Sequence, residues 1–178
     1  MSDQPVQLHN HPTLLNKGVE RLSFQAARKG DGVELRYDLI ADLARLSLPE
    51  TAGGERRDGL WEHTCFEAFF AIDGAPGYVE FNFAPNGDWA AYRFTTYREQ
   101  EGHLDTVAPT IETQQTEDGL SVCVTLSELP ADLKTGPIRL GPSAVIETRD
   151  GNKSYWALHH LANKPDFHLI ENFKFSLD

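Results

Sequence analysis

Hydrophobic and polar residues alternate with period two along much of this chain, most clearly across residues 78–95. Val79, Phe81 and Phe83 alternate with Tyr78, Glu80 and Asn82. Ala90, Tyr92 and Phe94 alternate with Trp89, Ala91, Arg93 and Thr95. Such alternation marks half-buried strands. Between the two runs stands Pro85-Asn86-Gly87-Asp88. Asn-Gly is a strong hairpin signal because both residues tolerate positive φ. A two-residue loop at Asn86-Gly87 predicts that Ala84 faces Trp89, Asn82 faces Ala91 and Glu80 faces Arg93. That register buries Val79, Phe81, Phe83, Tyr92 and Phe94, and displays Tyr78, Glu80, Asn82, Trp89 and Arg93 on the other face.

The same pattern extends in both directions. Residues 61–72 place Phe66, Ala68, Phe70 and Ile72 on one face and Cys65, Glu67, Phe69 and Ala71 on the other. Both faces are apolar, so this reads as a central strand, with Glu67 a carboxylate among hydrophobes that needs a partner or a raised pKa. A short connection at 73–77 sets Glu67 beside Asn82 and near Arg93. Leu22–Ala26 and Val33–Leu39 flank Lys29-Gly30-Asp31-Gly32 as a hairpin, and 110–117 and 120–126 flank Asp118-Gly119 as another. Further strands are predicted at 138–148, 153–159 and 173–177. Residues 42–60 read as a long surface loop with one helical turn at 41–47, and 98–109 as a polar connection. Ser127–Leu133 reads as a short helix capped by Ser127. About nine or ten short strands with almost no helix predict an all-β, antiparallel β-sandwich, immunoglobulin-like or jelly-roll-like. The expected organisation is an irregular lead at 1–16 followed by one domain at 17–178.

Composition narrows the functions. At 178 residues the chain is long enough for a core without disulfides. Its two cysteines, Cys65 and Cys123, lie in strand-like runs and read as buried thiols; a disulfide requires neighbouring strands. A net charge of −11 opposes nucleic-acid binding, and the nearest thing to a basic patch, Arg56-Arg57, is flanked by Glu55 and Asp58. No apolar run reaches the ~18 residues of a membrane span. The first residues carry neither a basic nor an apolar leader segment, so the expected location is cytoplasmic.

The candidate chemistry sits on the displayed hairpin face. Glu80 opposite Arg93 reads either as a solvated cross-strand ion pair, worth ~0.2–1 kcal/mol, or as a charged clamp for a polar ligand. Trp89 and Tyr78 supply flat apolar partners, a mixture that suits a sugar ring stacked on Trp and hydrogen-bonded at its edge. Glu67 and Glu80 on neighbouring strands are also the residue types of a glycosidase pair. No serine-nucleophile, phosphate-loop or dinucleotide motif occurs, so a non-enzymatic binding role is preferred. The metal candidates are His63, His159, His160, Asp166 and His168. Adjacent strand residues point to opposite faces, so only one of His159 and His160 can join Asp166 or His168. The expectation is no metal.

Taken together, LWEHTCFEAFF (60–70), YVEFNFAPNGDWAAYRF (78–94), YWALHH (155–160) and PDFH (165–168) resemble the bacterial DOMON-like domain proteins. These are relatives of the DOMON and family 9 carbohydrate-binding-module β-sandwiches, and the resemblance spans roughly residues 15–178. Sugar-binding relatives sandwich the sugar between two Trp side chains, which implies two among Trp61, Trp89 and Trp156. Haem-binding relatives ligate iron with Met and a His or Lys. The single methionine here is Met1, which leaves a bis-His site from His63 with His159 or His160 as the alternative. The reading carried forward is a small-ligand-binding sandwich for a sugar or glycan fragment. Trp61, Trp89 and Trp156 would stack, and Glu67, Tyr78, Glu80, Asn82 and Arg93 would bind. Histidine-ligated haem is one alternative. A protein-interaction module using the Trp89 face is another.

Overall fold

The alternating runs fold as antiparallel strands. The computed structural model describes residues 4–134 and 136–177. The strands are β1 (Val6–Asn10), β2 (Val19–Lys29), β3 (Gly32–Ala41), β4 (Cys65–Ile72), β5 (Tyr78–Phe83) and β6 (Trp89–Thr96). They continue with β7 (Glu99–His103), β8 (Thr110–Gln115), β9 (Gly119–Leu126), β10 (Ile138–Glu147), β11 (Lys153–Ala157) and β12 (Phe175–Leu177). The predicted sandwich is therefore present, with two strands more than the ten predicted runs. β1 lies in the segment expected to be an irregular lead, and β7 in the expected polar connection. Both are short, and β7 is largely exposed, so neither carries a strong alternation signal. The helical segments are single 3-10 turns at Leu43–Arg45, Leu60–Glu62, Ala131–Leu133 and Ile170–Asn172. Asp42 caps the first by accepting from the Ala44 N–H. Ser127 caps nothing, because the turn starts after Pro130. Among the described residues no helix is long and apolar enough to cross a membrane.

Hydrogen bonding runs in the order β7-β6-β5-β4-β10-β11-β1-β2-β3-β9-β8, and β12 pairs with the start of β10. β1 joins the two layers: His9 and Asn10 pair with β11, and Val6–Leu8 pair with β2. One layer is thus β7-β6-β5-β4-β10-β11 with β12; the other is β2-β3-β9-β8. Their facing sides form the main core, with Leu22, Phe24, Leu35, Tyr37, Val122 and Val124 meeting Phe66, Phe70, Phe81, Phe83 and Ala144. Each such large apolar side chain contributes ~1.5–3 kcal/mol when fully removed from water. Tyr37 crosses the interface and donates its hydroxyl to the Glu67 carbonyl at 2.6 Å, so its polar end is satisfied inside the core.

Candidate functional site

The outer face of the first layer is not solvated. Phe69, Ala71, Tyr78, Ala90, Tyr92, Phe94 and Phe173 form a second apolar cluster there, joined by Leu60, Phe167 and Ile170. The C-terminal segment 158–174 lies against this face. It is tied at one end by the His11 ring to the Ala162 carbonyl (3.1 Å) and by the His160 ring to the His9 carbonyl (2.8 Å). At the other end Phe173 packs on Gly141, where a Cβ would come within 2.4 Å of the ring.

This face differs from the predicted one because the β5–β6 register is shifted by one residue. Phe83 faces Trp89, Asn82 faces Ala90, Glu80 faces Tyr92 and Val79 faces Arg93. The loop is Pro85-Asn86-Gly87, closed by Gly87 N–H to the Ala84 carbonyl (2.9 Å) and Ala84 N–H to the Asp88 carbonyl (2.8 Å). A two-residue loop would need the N–H of residue 85 to bond residue 88, and proline has none. A one-residue slip exchanges faces. Tyr92 and Phe94 therefore join Tyr78, Glu80 and Asn82 on the outer face, while Trp89 and Arg93 turn inward with Phe81.

The slip dismantles part of the predicted site. Trp89 is 6% exposed and belongs to the main core, with the Arg56 guanidinium 4.6 Å above its ring. Trp156 is 5% exposed in the same core and donates its indole N–H to Ser154 Oγ at 2.9 Å. Arg93 pairs with Asp132 at 2.8 Å and meets neither Glu80 nor Glu67. Trp61 stays 44% exposed, on the 3-10 turn that precedes β4 and not in a strand.

The other predicted residues converge. Glu67 lies beside Asn82 across β4–β5, as expected, and Glu80 follows on the same face. Around them opens a pocket of about 350 Å³. Glu67 and Glu80 form its floor, Trp61, Tyr92 and Phe94 one wall, Tyr155 and Phe167 another, and Arg98 and His168 the rim. A small-ligand pocket begins at ~300 Å³. Tyr92 sets the Trp61 wall: its ring meets the indole edge to face at 6.0 Å, and its hydroxyl donates to Asp58 at 2.6 Å. Beyond Trp61 a larger, shallower groove of about 710 Å³ runs over the 47–64 loop, so the indole divides two concavities.

Burial controls the charge of the floor. Desolvation, and then repulsion from Glu80, push the Glu67 carboxyl well above the usual carboxylate range; a Ser143 hydroxyl at 3.5 Å opposes this weakly. Glu80 is pushed up to about 7 by desolvation, against an Asn82 amide bond at 2.9 Å and the charge of Arg98. The two buried carboxyls do not readily ionise together, so the pair tends to retain a proton. Burial, then Arg98, lower His168 to about 4, so the ring is neutral. Its orientation follows from a relay. Tyr78 Oη accepts the Arg98 N–H at 3.1 Å and so donates to His168 Nδ1 at 2.8 Å. That leaves the proton on Nε2, which faces Glu80 Oε2 at 3.8 Å. Arg98 sits in the left-handed region at φ 56 in the β6–β7 turn, a conformation that costs a non-glycine residue about 1 kcal/mol or more. Its guanidinium is committed to Asp166 at 3.0 Å and to the Tyr97 hydroxyl at 3.2 Å.

The histidines named for metal or haem ligation are dispersed. His63 pairs with Glu147 at 2.8 Å, His160 with the His9 carbonyl, His159 is exposed, and Asp166 and His168 serve the pocket rim. Among the described residues no group of three or more His, Cys, Asp or Glu is placed to hold a metal ion. Cys65 and Cys123 are both free. Cys65 shares Glu67's outer face, and Cys123, opposite Arg36, points outward from the other layer, so the sandwich separates them.

Tyr92, Phe94, Arg98, Tyr155 and Phe167 were not predicted as site residues. The first two were hidden by the register, and the last three come from elements whose packing onto this face no local pattern encodes. PDFH was noted in the sequence, and it supplies Asp166, Phe167 and His168.

No family model and no curated protein matches the chain. Among solved structures the fold matches a crystal structure described as "a putative carbohydrate-binding protein" from Bacteroides uniformis, with a TM-score of 0.68 over 98% of this chain and 84% of that one. The two sequences are 15% identical, so the likeness concerns the fold.

Proposed function

We propose that the outer-face pocket binds a sugar ring, and that the protein is a carbohydrate-binding β-sandwich of the DOMON-like type its motifs resemble. The observation that carries this reading is the juxtaposition of the exposed Trp61 indole with the buried Glu67 and Glu80 carboxyls in one small pocket. An indole offers a flat surface for the C–H face of a pyranose, and the floor offers acceptors for the ring's hydroxyls. The similar fold of a crystal structure described in carbohydrate-binding terms supports the same reading.

Calorimetric titration with a panel of mono- and disaccharides tests it, with Trp61→Ala as the control. Binding of at least one sugar, lost in Trp61→Ala without a lower melting temperature, is expected. Absence of binding across the panel, or unchanged affinity in the variant, overturns the proposal.

A further inference from the structure

The floor of the pocket has too few hydrogen donors for its oxygens. Glu67 and Glu80 contribute four carboxyl oxygens, and Asn82 Oδ1 is buried without a donor among the described residues. Three side chains donate to these oxygens or come near them. The Asn82 amide is spent on Glu80 Oε1, the Ser143 hydroxyl reaches Glu67 Oε2 only at 3.5 Å, and the His168 Nε2–H stops 3.8 Å short of Glu80 Oε2. Polar atoms of this kind are nearly always paired, so the carboxyl oxygens take protons, water, or the donors of a ligand that enters the pocket.

The charge balance points the same way. The titratable groups around Glu80 are Cys65 and Glu67 from β4, Tyr78 from β5 and Tyr92 from β6. Arg98 acts on it from the β6–β7 turn and His168 from the C-terminal segment, while Tyr155 of β11 lines the pocket near Glu67. The one cation among them, Arg98, is already neutralised by Asp166. Among the described residues no other Lys or Arg lines the pocket to balance the two acids.

Resting on the sugar reading above, we infer that the pocket selects a sugar carrying a protonated primary amine, received between Glu67 and Glu80. An ammonium group brings three donors and one positive charge, which supplies both deficits at once. Its arrival displaces the protons that the acid pair otherwise holds, so binding releases protons. Affinity therefore rises from pH 6 toward pH 7.5, as long as the amine itself remains protonated. The direction follows from Glu80, which gains its charge near pH 7.

The test titrates glucosamine, N-acetylglucosamine, glucose and ethanolamine at pH 6.0 and 7.5, each in two buffers of different ionisation enthalpy. Expected are at least about tenfold tighter binding of glucosamine than of glucose at pH 7.5, the size of one charged hydrogen bond, and a buffer-dependent enthalpy that reports proton release. Glu67→Gln and Glu80→Gln should each bring the glucosamine-to-glucose ratio toward one. Both are near-isosteric, and an unchanged melting temperature at pH 6.0 shows that they remain folded. Glucose or N-acetylglucosamine binding as tightly as glucosamine overturns the amine inference and leaves the sugar reading intact. Ethanolamine binding with no sugar bound overturns the sugar reading and keeps the cation site. No binding by any probe overturns both.

Discussion

Replacing Glu80 with glutamine isolates the energetic consequence of burying this carboxyl. In the native protein Glu80 is pushed from 4.5 up to about 7, and the protonated form is the one the fold prefers. Its stabilising contribution is therefore full below pH 4.5 and is lost as pH rises through about 7. His168 behaves in the opposite sense. Its value falls from 6.5 to about 4, so its contribution is present above pH 6.5 and is lost as pH falls toward 4. Both shifts correspond to energies on the order of 3 kcal/mol at full titration. Between pH 4.5 and 6.5 these two nearly cancel, but Glu67, also raised by burial, loses its contribution from pH 4.5 upward as well, so wild-type stability should fall with pH there. Above pH 6.5 the His168 gain is complete and the loss from the acids continues. Glutamine keeps the shape and can still accept from Asn82, but never charges. Glu80→Gln should thus match the wild type near pH 5 and exceed it by roughly 1–3 kcal/mol at pH 8. Urea unfolding at the two pH values measures this as a change in midpoint at constant slope. A variant-minus-wild-type difference that is the same at pH 5 and pH 8, or that grows toward acid, refutes the burial argument.

Three further substitutions test the packing. Trp89→Ala should cost ~3–5 kcal/mol, the loss typical of a core tryptophan, because the ring lies in the main core beneath Arg56; a surface residue would cost far less, and thermal unfolding separates the two. Gly87→Val should cost ~1–3 kcal/mol in the same assay, since φ is 96 there and a β-branched side chain resists the left-handed region. Gly141→Ala should lower the melting temperature and weaken ligand binding together, because the new methyl group collides with the Phe173 ring that helps hold the C-terminal segment against the sheet.

Strand positions were legible because most strands here carry one clean face, and period two survives in β2, β3, β5, β6 and β9. Register was harder. The Asn-Gly pair suggested the shortest loop, yet Pro85 already ruled it out, since that loop asks an N–H of a residue that has none. The sequence therefore contained the correction, in one residue that outranks a dipeptide preference. The central position of β4 followed from its two apolar faces, and the pairing of Glu67 with Asn82 from the short 73–77 connection. The site was only half legible. Glu67, Glu80, Asn82, Tyr78 and Trp61 were named, but the covering segment was not anticipated as a wall. Its contacts span large sequence separations, such as Tyr78 to His168 and Phe69 to Phe173, which no local pattern reports.

The register also explains why the buried acids exist at all. With Glu80 opposite Arg93, the carboxyl would have been an ordinary surface pair worth a fraction of a kcal/mol, ionised at every physiological pH. One residue of slip moves Arg93 to the opposite face, where it binds Asp132, and puts Tyr92 beside Glu80 instead. The aromatic face then attracts Phe167 and Phe173 from the C-terminal segment, and this covering removes the carboxyls from water. Burial, which outweighs the Asn82 bond and the charge of Arg98, is what lifts Glu80 toward neutrality. Such an arrangement costs folding stability at neutral pH. A merely structural pair in this position would be relieved by a nearby lysine or arginine, yet Arg98 at the rim is held away by Asp166. On the sugar reading proposed above, two acids without a committed cation in the floor of an aromatic pocket are the acceptors that a ligand from outside would meet.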